Sequence, residues 1–376
     1  MFLTAALLVV VAGSIVYSVL TIVAAREYLG QPAPPPRLPA EPVSVLKPLA
    51  GAEERLEENL RSFLVQQYPA FEILFAVRRA DDAAVAVVEK LRAEFPAVPL
   101  RLILTGEPPY PNAKVYSLDR MKSEARYDLL VMSDSDIQVT PGMLAQVAAE
   151  FADPRVGLTT CPYRAVPGKG VWSALEALGM NTQFLGGILT ARMLEGMKFA
   201  LGPTITARKS VLDEMGGFDR LKDYLAEDFV MGKFADELGY RVLLSSYVIE
   251  HHIGSQDMAA NLTHRLRWCR STRRSRPAGY VGELFTMPLA TALLSLLWAP
   301  AVWPVAALSI LLRAASAWAC AGWVLRDPLT ARLWWLLPVQ DLLAFAMWIA
   351  GFFGNHIVWR GRRYFLHSDG RFELEG

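Results

Sequence analysis

Net charge is almost absent from this chain of 376 residues: 38 Lys and Arg stand against 37 Asp and Glu, leaving +1, so no global electrostatic case exists for nucleic-acid binding. Cysteine is scarce. Cys161, Cys269 and Cys320 have neither metal-binding nor redox spacing, which argues against a disulfide framework and fits a cytoplasmic catalytic face. No internal repeat occurs, and the one low-complexity segment is the Pro-rich linker QPAPPPRLPAEP (residues 31–42). Residues 2–24 lack any charge. At about 1.5 Å per residue they can cross a bilayer core of roughly 30 Å. No Lys or Arg precedes the run, which is also too long for a signal-peptide core, so an uncleaved anchor is expected. Arg26 follows it, and the positive-inside bias places the next domain in the cytoplasm.

What is abundant is apolar. Hydrophobic residues make up 53% of the chain, too many for an ordinary soluble enzyme, and the excess sits at the two ends. Residues 285–325 hold two apolar spans separated around Pro300 and Pro304, and residues 333–358 hold another with Gln340 and Asp341 inside it. Arg313 and Asp341 are intramembrane charges, which face protein or water and so have a functional or packing role. Counting every span as a crossing puts the basic tail WRGRRYF outside, against the positive-inside bias, so the last segment is expected to re-enter or lie on the surface. Residues 264–276 (HRLRWCRSTRRSR) are dense in arginine and read as a membrane-flanking patch for anionic lipid.

Between these ends, strands alternate with helices. VSVLKPL is a short strand; Leu56, Leu60, Phe63 and Leu64 recur at helical spacing; FEILFAV and PLRLILTG are further strands; and YDLLVMS ends on Asp134 and Asp136. Such alternation predicts a mostly parallel α/β sheet whose site lies along the C-terminal strand ends. Residues two apart on a strand share a face. Asp134 and Asp136 thus project together as two hard oxygen donors for Mg²⁺ or Mn²⁺, leaving open positions for a nucleotide diphosphate. Asp82 follows the second strand, and Asp228 lies in LAEDFVMG after the Gly216-Gly217 turn. Each has a plainer reading as a helix cap. Arg267 and Trp268 precede the membrane segments, where a guanidinium suits a diphosphate and an indole suits stacking or an interface.

In order, VSVLKPLAG, RRADDAA, PNAKVYSL, VMSDSDIQV, GGFDRLKDYLAEDFVMGK and RLRW resemble the ceramide glucosyltransferase family, GT-A glycosyltransferases whose bacterial relatives act on hopanoid lipids. The resemblance runs from about residue 43 to 270. It implies an α/β GT-A nucleotide-sugar-binding domain with N- and C-terminal transmembrane helices. It also implies that Asp81, Asp82, Val45, Lys47, Pro48 and Lys114 form the nucleotide pocket, with Asp134, Arg267 and Trp268 at the donor. Asp134 and Asp136 would bind the metal, and Asp228 would be the base of an inverting single displacement. Two departures stand out: the first position of the Q/R-x-x-R-W motif is His264, and no histidine lies between Trp172 and Lys209, which weakens ceramide as the acceptor.

The expected organisation is an anchor (1–25), a linker (26–42), a catalytic domain (43–262), a basic interface segment (263–284), transmembrane or re-entrant helices (285–360) and a tail (361–376). The expected protein is a multi-pass enzyme of the inner (plasma) membrane with a cytoplasmic catalytic domain. It takes a hexose from a UDP-sugar, UDP-glucose first, to a membrane lipid, ceramide first. Transfer of N-acetylglucosamine to a hopanoid is the alternative, and a nucleotide-binding scaffold the rival from another class. The run GGILTARMLEGMKFALG (residues 186–202) is expected either to lie against the membrane or to pack as an amphipathic core helix.

Overall fold

The structure is a computed structural model and describes residues 2–32, 34, 35, 39–359 and 361–375. The apolar runs of the middle region become strands β1 (Val43–Pro48), β2 (Phe71–Val77), β3 (Leu100–Leu104) and β4 (Leu129–Ser133). They are joined by helices and pair in parallel in the order β3-β2-β1-β4. Val43, Val45 and Leu46 of β1 are fully buried, because helices on both faces leave an inner parallel strand no solvated side. The chain continues through β5 (Ile137–Gln138), β6 (Val156–Thr160), β7 (Tyr163–Val166), β8 (Thr204–Arg208), β9 (Arg241–Leu244) and β10 (Ile249–His252). Strand β8 enters antiparallel between β4 and β6, and β9 closes the far edge, giving seven strands. A second sheet, β5-β10-β7, stands beside the ends of β4 and β6. A third, from β11 (His356–Trp359), β12 (Arg362–Leu366) and β13 (Phe372–Leu374), is antiparallel.

Among the described residues, three helices are long and apolar enough to cross a membrane: Thr4–Leu29, Pro300–Val324 and Pro328–Gly351. The helices Pro277–Thr286 and Pro288–Trp298 pass the same test together but are bent by 61°, with Pro288 opening the second, where a missing N–H costs least. Leu297, Trp298, Trp303, Leu311, Trp334 and Trp335 are among the most exposed large side chains, an outward apolar surface far too extensive for a water-facing wall. Inside the bundle, Arg313 meets Asp341 through two parallel bonds, Nη2 to Oδ1 at 2.9 Å and Nε to Oδ2 at 3.1 Å, and both side chains are buried. The two charges expected within the membrane thus pair with each other. The helix Phe2–Leu29 packs against Leu185–Glu195 and Trp303–Trp318, with Thr21 and Thr190 sharing a hydrogen bond of 3.0 Å. Its last turn docks on the α/β domain, where Tyr28 Oη donates to Ser245 O at 2.6 Å.

The run 186–202 falls mostly in the helix Leu185–Glu195, which buries Leu185, Ile188, Leu189 and Ala191. One face of its amphipathic pattern is thus packed inside the protein, while Leu194 is exposed. A π-helical turn, Met180–Phe184, joins it to Val171–Gly179.

Candidate functional site

The carboxylates converge where the sheet's strands end. Asp134 follows β4 directly, and its backbone N–H is held by Pro203 O at 3.1 Å. Its side chain meets Lys114 Nζ at 2.7 Å, and the same ammonium reaches Glu227 at 3.3 Å and Gly202 O at 3.4 Å. Burial works against the charge on Lys114, but these carboxylates outweigh it and hold the ammonium protonated. Lys114 is placed by Asn112, whose Oδ1 caps the helix Ala113–Glu124 through Val115 N at 3.1 Å. Asn112 Nδ2 also donates to Tyr224 O at 2.9 Å and to Glu227 at 3.3 Å. One buried amide therefore fastens the helix Ala113–Glu124 to the loop ahead of Asp228.

Asp136 meets His251 Nε2 on β10 at 3.0 Å, and His252 N donates to the Asp136 carbonyl at 2.8 Å. Burial raises both Asp carboxyls, with different outcomes. Asp134 stays raised, with Asp136 adding to the effect, whereas His251 and Lys47 bring Asp136 below its usual range. Asp136 Oδ1 is buried without a hydrogen-bond partner, a desolvated acceptor that nothing among the described residues offsets. Among the described residues, no group of three or more His, Cys, Asp or Glu is gathered for a metal ion. Asp134 and Asp136 are the side chains that could hold one, with His251 beside them, and the orphaned oxygen fits a cation.

Asp228 lies in the first turn of the helix Glu227–Glu237. Its Oδ1 accepts from Phe229 N at 2.8 Å; the helix's N-cap is Ala226, so Asp228 is not the cap. A Cβ on Gly202 would come within 2.8 Å of Asp228 Oδ2, so only glycine leaves this carboxylate its place. Burial, then the adjacent Glu227, raises Asp228 to about 6.

The remaining sequence candidates divide. Asp82 caps the helix Ala83–Glu94 through Ala84 N at 2.9 Å and also accepts from Gly51 N at 2.9 Å, tying the loop after β1 to the loop after β2. Asp81 is exposed and paired with Arg79 at 2.8 Å. Pro48, Asp81, Asp82, Lys114, Asp134, Asp136, Asp228, Arg267 and Trp268 all line one cavity of about 1810 Å³. Val45 and Lys47 do not: Val45 is core, and Lys47 lies wholly buried beneath the site. Its Nζ donates to Asp134 O at 2.7 Å and sits 3.7 Å above the Phe63 ring. Burial lowers Lys47 to about 7 against the pull of Asp134 and Asp136.

Trp268 stands on the helix Met258–Ser275, its ring 5.6 Å from Phe184 and 5.3 Å from His264. His264 Nδ1 is 2.6 Å from Glu176, whose other oxygen accepts from Asn261 at 2.7 Å. His264 thus anchors the motif helix to the helix Val171–Gly179 by pairing with a carboxylate. Of the basic stretch, Arg270 and Arg273 donate to the carbonyls of Phe353 and Gly354 at 3.0 and 2.7 Å. These two arginines are structural fasteners, which the reading of the stretch as a lipid patch did not foresee. The same cavity has an arm lined by Gly187 and Ile188 of the helix Leu185–Glu195 and by Phe285, Ala344, Met347 and Trp348 of the apolar helices. His251, Glu227 and Glu176 escaped the sequence reading. The Glu-Asp doublet in LAED offered a signal for Glu227; the other two are defined only by distant partners.

The family model described as glycosyl transferase family 21 matches residues 6–372. Ceramide glucosyltransferase 1 of Caenorhabditis elegans is 30% identical over 239 residues, 63% of this chain and 50% of that protein. The ceramide glucosyltransferase of Komagataella phaffii is 35% identical over 120 residues, 31% of this chain and 23% of that one. The chain spans about half the length of the two Caenorhabditis elegans relatives it matches. A mannosyltransferase from Pyrobaculum calidifontis, solved in complex with GDP-Man and Mn²⁺, superposes with a TM-score of 0.55 at 18% identity, covering 92% of this chain and 99% of that one. That likeness shows the fold, the GT-A architecture expected from the motifs.

Proposed function

This chain belongs to glycosyl transferase family 21, and from that premise we propose that it moves a single hexose from a UDP-sugar to a hydroxyl of a membrane lipid, with inversion. UDP-glucose is the first donor and ceramide the first acceptor, after the names of the relatives. One observation carries the reading: a single cavity joins the carboxylates at the sheet edge to an arm walled by membrane-type helices. A water-soluble donor and a bilayer-borne acceptor meet in such a space without the lipid chains crossing water, which costs about 0.8 kcal/mol per CH₂.

In this proposal the loops after β1 and β2, with Pro48, Asp81 and Asp82, hold the nucleoside, and Arg267 faces the diphosphate. A divalent cation, Mg²⁺ or Mn²⁺, held by Asp134 and Asp136 would supply positive charge to the departing diphosphate; the mannosyltransferase neighbour was solved with Mn²⁺. Lys114 adds its own ammonium at Asp134. Asp228 takes the proton from the attacking hydroxyl, and a carboxylate raised to about 6 is well matched to that task near neutral pH. The catalytic domain faces the cytoplasm, with the helix Phe2–Leu29 and the C-terminal helices in the membrane. The test is a panel of UDP-glucose, UDP-N-acetylglucosamine and UDP-galactose against ceramide, diacylglycerol and a hopanoid polyol, with products resolved by lipid chromatography. Glucosylceramide is the expected product. A product only from UDP-N-acetylglucosamine and the hopanoid would reassign both substrates, and UDP binding without any transfer would favour a scaffold.

A further inference from the structure

The chain leaves its last apolar helix at Gly351 and turns back as the sheet β11–β13. This sheet has its own small core, in which Ile357, Tyr364, Leu366 and Phe372 are buried together with one residue from elsewhere, Leu225. Leu225 lies three residues before Asp228, in a stretch (residues 221–226) with no helix or strand of its own. That stretch is therefore held from outside. Phe372 N donates to Asp223 O at 2.8 Å, Leu225 N to Gly370 O at 3.4 Å, and Tyr224 bridges antiparallel to Arg371. On the opposite side Asn112 takes the Tyr224 carbonyl. The sheet also reaches the reaction space, since Trp359, Arg362, Tyr364 and Leu374 line the cavity. Its own position is set by Arg270 and Arg273, which grip the carbonyls just before β11.

We propose that the sheet β11–β13 is a positioning part of the active site, and that Leu225 is the residue through which it sets the Asp228 carboxylate. A loop whose internal backbone bonding amounts to Tyr224 N on Leu221 O at 3.1 Å samples many backbone states unless it is held elsewhere, and misplacing a reacting group by about 1 Å costs on the order of 10²-fold in rate. Inserting Leu225 into a core made by the C-terminal strands removes that freedom. The inference rests on Asp228 acting as the base, as proposed above.

The experiment uses the full-length protein in detergent or nanodiscs and compares Leu225→Ala, Phe372→Ala and Leu225→Met. Amide hydrogen exchange of residues 221–228 is read alongside UDP binding and the kcat and KM of transfer. Both alanine variants are expected to speed exchange in that loop and lower kcat by about 10²-fold, while UDP binding and donor KM stay at wild-type values. Leu225→Met, which conserves volume, should restore both slow exchange and kcat. If Leu225→Ala gives no folded protein, Leu225→Val takes its place. Unchanged exchange, faster exchange with kcat retained, or a parallel loss of UDP binding would each overturn the proposal. If the wild type transfers no sugar to any lipid, the proposed activity falls, while the exchange measurement still decides whether the sheet tethers the loop.

Discussion

At the scale of single residues, the site is governed by how few neighbours each carboxylate can rely on. Asp228 is buried and has a like charge, Glu227, beside it, and these outweigh Lys114 and the backbone donors Phe229, at 2.8 Å, and Gly202, so its proton is held up to about 6. A carboxyl raised above its unfolded value of 3.8 favours the folded state at low pH and loses that contribution as pH rises through about 6. At neutral pH the charged Asp228 is therefore a cost to the fold. Asp228→Asn should lower transfer by ~10²–10⁴-fold, leave UDP binding in place and raise the melting temperature. Wild-type kcat should climb as pH passes through about 6, as the base loses its proton. A variant with lower thermal stability, or a flat profile from pH 5 to 7, would remove Asp228 from this role. Asp136 offers a second test, because its Oδ1 is an orphaned buried acceptor. Asp136→Ala should abolish Mn²⁺ binding read by electron paramagnetic resonance and weaken UDP-sugar affinity, and chelation should silence the wild type. Full activity in excess chelator would argue that Lys114 and Arg267 alone carry the diphosphate charge.

At the scale of elements, the Arg313–Asp341 pair joins the helices Trp303–Trp318 and Leu337–Gly351. Removing one member strands a buried charge, which typically costs about 3–5 kcal/mol, whereas replacing both by apolar residues of similar volume is often tolerated. Arg313→Met or Asp341→Leu alone should sharply lower the melting temperature in detergent, and the double variant should recover most of it. Equal loss in all three would mean that the charges, rather than their pairing, are required. The same elements show what was legible in the sequence. Strands β1 to β4 are apolar runs closed by turn residues, and such local patterns survive folding. Strand β8 gives no comparable local signal that it inserts antiparallel beside β4, because pairing is set by partners distant in sequence. His251 was invisible for the same reason: it reaches Asp136 only once β10 lies against β5. The arginines after Trp268 advertised charge, while their use, gripping carbonyls at the end of the last helix, depends on a chain reversal that no periodicity announces.

At the scale of the whole molecule, the helices long and apolar enough to cross a membrane contribute walls to the cavity. Gly187 lines the arm, and a Cβ there would meet only Tyr17 Oη, at 3.9 Å. Gly187→Leu should fold normally, since leucine favours a helix over glycine by roughly 0.5–1 kcal/mol, yet fill the arm. The acceptor KM should rise while UDP binding is unchanged; an unaltered acceptor KM would move the lipid elsewhere. The arm also depends on the π-helical turn Met180–Phe184. Within it, Asn181 binds Ala165 O and Asp327, Gln183 binds Thr286, and Phe184 meets Trp268. A π turn is an α-helix carrying one surplus residue. If a lineage deleted that residue, the turn would revert to regular α-helix and Gly187 and Ile188 would keep their face, whereas a deletion in the α-helical part beside it would rotate everything downstream by about 100°. The rod 171–195 therefore has one place where its length can change without turning its cavity face away, and what such a loss would sacrifice is the set of ties that the turn itself presents, from Asn181 to Ala165 and Asp327 and from Gln183 to Thr286.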